Sequence, residues 1–122
     1  MSHIVTLKTE VRDPAAVAAA CRRLGLSEPA NGTAQLYSGQ ATGLLVQLPD
    51  WAYPVVIDTV TGTIRYDNYG GVWGDEQHLH RFVQAYVVER SRIEARKKSY
   101  ATTEQSLADG SIMVEIEVGG QA

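Results

Sequence analysis

Asp75, Glu76, His78 and His80 fall within one short stretch, a density that invites a metal site. On a helix Asp75 neighbours His78 and Glu76 neighbours His80, but the two histidines, two positions apart, point to nearly opposite sides. At most two ligands gather there unless His3, Asp58 or Asp67 joins from a sheet. The stretch therefore reads as a solvated helix start with Asp75 as N-cap, and no metal or cofactor is expected. Just upstream, Asn68-Tyr69-Gly70-Gly71-Val72-Trp73-Gly74 lies between a strand and a helix, where backbone N–H groups can meet an anion. It lacks the Lys-Ser/Thr of a phosphate-binding loop and the G-x-G-x-x-G spacing, and Asp75 and Glu76 already fill the field of the helix N-terminus. The expectation is a tight turn pinned by aromatics. Cys21, the sole thiol, falls on an apolar helical stripe and belongs in a core, and no G-x-S-x-G elbow presents a serine. No catalytic residue is assigned.

Two surface features remain. Arg90, Arg92, Arg96, Lys97 and Lys98 crowd the end of a long helix, where cations complement the dipole and Glu94 can pair with Lys98. That is a solvated face before it is a basic patch for an acidic partner. Trp51, Tyr53, Tyr66, Tyr69 and Trp73 gather around turns and the glycine-rich loop, and aromatics with polar tips are enriched in contact surfaces. Tyr66, Asn68, Tyr69, Gly70, Gly71 and Trp73 are accordingly the expected interaction surface. The competing reading is a ligand pocket between the long helix and the sheet, lined by Asp67, Asn68, Tyr69, His78 and Tyr86.

The elements that must position these residues follow from periodicity. Val5, Leu7, Thr9 and Val11 alternate with Thr6, Lys8 and Glu10, a half-buried strand. Asp13-Pro14 starts a helix with inner stripe Val17, Ala20, Cys21 and Leu24, closed by Gly25 and by Leu26 folding back toward Cys21. Residues 27–33 read as a loop, 34–37 and 43–48 as one hairpin, 53–58 and 63–67 as a second. From Asp75 to about Lys98 there is no Pro or Gly, and Leu79, Tyr86, Ile93 and Tyr100 recur every seven residues with Phe82, Val83 and Val87 widening the stripe. Thr102 to Leu107 and Ser111 to Val118 form a last hairpin across a two-residue Asp109-Gly110 turn. Gly119 to Ala122 should fray. The class is α+β, in the order β-α-β-β-β-β-α-β-β. An antiparallel sheet of five to seven strands carries both helices on one face, as in helix-grip or TATA-binding-protein-like topologies.

At 122 residues the chain has the length of one domain, expected to span residues 1–118. A net charge of −3 supplies no global attraction for nucleic acid, which is not an expected partner. No apolar run is long enough to span a membrane, the start Met1-Ser2-His3-Ile4-Val5 lacks a signal core, and one cysteine suits a reducing compartment. A cytoplasmic location is the expectation.

The opening Met1-Ser2-His3-Ile4, the segment from Tyr66 to Gly74, the helix Phe82-Val83-Gln84-Ala85-Tyr86 and the ending Asp109-Gly110-Ser111-Ile112 resemble the family known as domain of unknown function twelve-fifty-seven. That family occurs in many bacteria and as a reading frame in algal plastids, and the likeness covers nearly the whole chain. It has no established activity, cofactor or catalytic residues. What the resemblance implies is an accessory protein, encoded alongside an AAA-type ATPase that would be its larger partner. The expected function is thus a non-catalytic protein-interaction module, with a small-molecule-binding or enzymatic domain as the alternative.

Overall fold

The computed structural model describes residues 4–98 and 101–117. The elements run β1 (Val5–Lys8), α1 (Pro14–Leu24), β2 (Ala30–Gln35), β3 (Gln40–Val46), β4 (Val55–Asp58), β5 (Thr63–Tyr66), α2 (Glu76–Lys97), β6 (Ala101–Ser106) and β7 (Ile112–Glu117). Both helix starts obey local chemistry. Asp13 accepts from the N–H groups of Ala15 and Ala16 at 3.0 and 3.4 Å, and Pro14 occupies the first turn, where its missing N–H costs nothing. Asp75 accepts from the N–H of Gln77 at 2.9 Å. At the other end of α1, Gly25 takes the left-handed conformation at φ +71, and the N–H of Leu26 reaches the Cys21 carbonyl at 2.8 Å, the expected Schellman closure.

Strands β2 to β5 form an antiparallel meander, and β1 adds to its far side, giving the order β1-β5-β4-β3-β2. Both helices lie on one face. Leu44, Val46, Val55, Ile57, Ile64 and Tyr66 point into a core with Ala16, Val17, Ala20 and Cys21 of α1 and Leu79, Phe82, Ala85 and Tyr86 of α2. The opposite face carries a smaller cluster of Ala34, Leu36, Ala41 and Val56, against which Ile4, Leu45 and Tyr53 pack. The Tyr86 hydroxyl accepts from the N–H groups of Arg12 and Asp13, each at 3.1 Å, so α2 also fixes the chain where it enters α1.

Three local readings change along this part of the chain. Residues 30–33 belong to strand β2, because Ala30 pairs with Leu45 and Gly32 with Gly43. The backbone ladder overrides the turn preference of Asn31-Gly32 at this sheet edge. Leu24, the last residue of α1, is exposed rather than part of the inner stripe. On α2 the buried residue is Val88, while Val87 stays 55% exposed. The helix packs on α1 and supports the β6–β7 hairpin as well as covering the sheet, so its apolar face is broader and rotated relative to the sevenfold repeat. Tyr100, Val118 and residues 119–122 lie outside the described residues.

The C-terminal hairpin does not join the main sheet but forms a two-stranded sheet on α2. Its turn spans 107–111: the Leu107 carbonyl accepts from the Gly110 N–H at 3.1 Å, the Leu107 N–H donates to the Ser111 carbonyl at 2.8 Å, and Gly110 has φ +90. This is a type I turn with a glycine bulge, one residue longer than the two-residue turn that Asp-Gly suggests. Ile112 and Val114 are half-buried, while Ile116 remains exposed. Charge supplies the rest of the attachment. Glu104 accepts from Arg23 at 2.7 and 3.0 Å and from Arg92 at 2.5 Å, joining β6 to both helices, and these partners hold its carboxyl below the usual range.

Candidate functional site

The segment between β5 and α2 is organised by one buried residue, Asn68. Its backbone carbonyl accepts from the N–H groups of Gly71 at 3.0 Å and Trp73 at 2.9 Å, and its side-chain amide donates to the Gly74 carbonyl at 3.1 Å and to the Glu76 carboxylate at 3.4 Å. The chain thereby folds into a single 3-10 turn at Tyr69–Gly71, with φ of +48 at Tyr69, +60 at Gly70 and +102 at Gly71. For the glycines this region is open; for Tyr69 it costs about 1 kcal/mol or more. A second stretch, residues 48–54, is stitched to this turn. The Ala52 N–H donates to the Trp73 carbonyl at 2.8 Å, and the Trp51 indole N–H to the Asp75 carbonyl at 3.0 Å. Gly74 faces the Trp51 ring so closely that any Cβ would overlap it.

This stitching sorts the aromatics into two groups. Trp51 and Tyr66 are buried and meet edge to face at 5.6 Å between ring centres. Trp73 is the hub of the other group, with Tyr69 stacked on it at 4.8 Å, Tyr37 at 5.1 Å and Tyr53 at 5.8 Å. Tyr37 is 63% exposed, Tyr69 42%, and Val72 beside them is also open to solvent. Of the expected interaction surface, Tyr69, Gly70 and Gly71 are exposed and Trp73 half-buried, whereas Tyr66 and Asn68 are interior. Their exclusion has a plain cause. Tyr66 is on the helix-facing side of β5, and the Asn68 side-chain amide turns inward to the Gly74 carbonyl and the Glu76 carboxylate. Tyr37 is the member that sequence reasoning missed. Its signal was present: an aromatic directly before Ser38-Gly39 at a hairpin tip, where no core can claim it.

The alternative pocket residues do not converge. Asp67 and Asn68 are buried at the base of the loop, Tyr69 stacks on Trp73, and the Tyr86 hydroxyl is committed to the start of α1. His78 instead lines a small cavity of about 190 Å³ with Leu24, Leu26, Leu48, Pro49 and Arg81. A larger open groove of about 490 Å³ runs between Gln77, His80, Arg81 and Gln84 of α2 and the hairpin turn at Asp109, Gly110 and Ser111. Ser, His and Asp coincide there, but the Ser111 hydroxyl donates to Asp109 at 2.5 Å, which holds that carboxyl low and makes it a weak base, and no hydrogen bond joins His80 to either among the described residues.

Among the described residues no three of His, Cys, Asp and Glu gather closely enough to hold a metal; His3 lies outside them. Cys21 is fully buried, and desolvation first, then Glu28, pushes its thiol upward, away from the reactive thiolate. The basic end of α2 is largely internally paired. Arg90 meets Glu94 at 2.6 Å and Asp13 at 3.6 Å, Arg92 meets Glu104, and Lys97 meets Glu94 at 3.7 Å. Glu94 thus pairs with Arg90 and Lys97 where Lys98 was the expected partner. No helix among the described residues is long and apolar enough to cross a membrane.

Comparison with protein-family models, with curated proteins and with solved structures found no match to this chain. The candidate site therefore rests on its own geometry.

Proposed function

We propose that this chain is a non-catalytic interaction module whose contact surface is the Trp73-centred group of Tyr37, Tyr53, Tyr69 and Trp73. The observation that carries the reading is the cost of the arrangement. Tyr69 adopts a left-handed backbone conformation and stacks on Trp73 while remaining 42% exposed, so strain is tolerated for a ring that fills no core. Preorganised aromatic rings contribute large contact area with little side-chain entropy to lose, which suits a binding surface. Two of its rings, Tyr37 and Tyr69, stand open to solvent beside the exposed Val72, and this favours a protein partner over a small substrate. The resemblance to the twelve-fifty-seven family makes an AAA-type ATPase the first partner to test, in a cytoplasmic setting that suits a single reduced thiol. Affinity capture followed by mass spectrometry is the experiment. Tyr69→Ala and Tyr37→Ala should keep the fold and lose the captured partner; capture that survives both substitutions would end this reading.

A further inference from the structure

Asp67 is the most deeply buried ionisable side chain near the aromatic group, at 1% exposure. One carboxyl oxygen, Oδ2, accepts from the Ser38 hydroxyl at 3.0 Å. The other, Oδ1, is fully buried and has no hydrogen-bond partner among the described residues. An acceptor left in that state is costly, and an unpaired carboxyl is the costliest kind. Its position is informative. The Ser38 bond ties the tip of the β2–β3 turn to the end of β5, so the carboxyl sits at the seam from which Tyr37 and Tyr69, each one or two residues away in sequence, both reach Trp73. The Asp67 carboxyl forms no ion pair among the described residues.

Resting on the interaction reading above, we infer that the Trp73 group and Asp67 together receive an arginine side chain of the partner protein. A guanidinium matches both halves of the site. Its face stacks on the outer side of the Tyr69 ring, which Trp73 backs, where the ring quadrupole attracts a cation, and its edge N–H groups supply Oδ1 with the missing bond and the counter-charge. A lysine ammonium lacks the planar face, and a neutral side chain leaves Oδ1 unmatched in charge. Reaching Oδ1 requires the Tyr37–Ser38 tip to give way, and that tip is the most exposed part of the group.

The test is a titration of the ¹⁵N-labelled chain with the capped tripeptide Gly-Arg-Gly, followed by the Trp73 indole and the backbone amides of Tyr37, Ser38 and Tyr69. Capped Gly-Lys-Gly and Gly-citrulline-Gly serve as comparisons. The arginine peptide should shift these signals, and the citrulline peptide, equal in shape but uncharged, should not. Asp67→Asn, which keeps the shape, should weaken the arginine peptide about tenfold or more, the loss expected for one charge-assisted hydrogen bond, while leaving the melting temperature unchanged or higher. Should Asp67→Asn fail to fold, the wild-type chain decides the charge requirement by itself, through the difference between the arginine and citrulline peptides. Equal binding of the arginine and citrulline peptides, equal binding of the lysine peptide, or no shift at all would overturn the inference. If capture of the partner is lost in Tyr69→Ala but kept in Asp67→Asn, the interaction surface stands and its arginine recognition falls; if Tyr69→Ala and Tyr37→Ala both keep capture, both fall.

Discussion

Trp51 and Trp73 flank the same polypeptide crossing, and their surroundings differ in one decisive respect. The Trp51 indole donates into the backbone of the incoming helix and its ring lies against Gly74 and Tyr66, so it is buried and hydrogen-bonded to structure on every side. Trp73 is surrounded by other rings, two of which are open to solvent. An aromatic whose polar tip is consumed by the fold serves the fold. A ring supported by further exposed rings is a platform, and the difference is visible only when both partners of each contact are known.

The comparison breaks most sharply at Trp51. Trp51→Ala should cost about 3–5 kcal/mol in urea unfolding, through the cavity and the freed Asp75 carbonyl. A loss under about 1 kcal/mol would remove the distinction between the two tryptophans. Next in size is Gly74→Ala. The new methyl must displace a buried indole held by a hydrogen bond, and a loss of about 1–3 kcal/mol is expected, with a matching shift in the unfolding midpoint.

A third kind of anchoring, by charge, sharpens the contrast further. Glu104→Gln should loosen the β6–β7 hairpin by roughly 1 kcal/mol, since Arg92 is half open to solvent and screening discounts the pair; amide exchange in β6 is the measurement. Because the folded carboxyl titrates below its unfolded value of about 4.3, its contribution is complete above that pH and is lost as pH falls through the lower folded value. Wild-type β6 protection should therefore fall in that acid window, and Glu104→Gln should abolish the dependence. Protection in the variant that still falls in parallel with wild type would assign the acid sensitivity to other carboxyl groups.

The smallest expected change in stability belongs to Tyr69→Gly. Relief of the left-handed strain offsets the lost stacking, so thermal unfolding should move by no more than about 0.5 kcal/mol, while partner capture is lost. A destabilisation above about 2 kcal/mol would move Tyr69 to the structural side, beside Trp51.

Periodicity and capping chemistry alone were enough for the element order, both helix starts, the Gly25 closure and the single helical face of the sheet. Those features arise from neighbours within a few residues, where residue type and spacing dictate the backbone. Where Asn31-Gly32 met a β-ladder, and where Val87 and Val88 competed for one face, the choice fell to strands and helices remote in sequence. The candidate site divides the same way. The glycines and aromatics from Tyr66 to Gly74 marked the loop, but Tyr37 enters it from a different hairpin, and Asn68 and Tyr66 leave it because their side chains are drawn inward. Burial and ring contact are properties of pairs brought together by folding, so only the tertiary structure decided which aromatics face the solvent and left Asp67 with half its carboxyl unpaired beneath them.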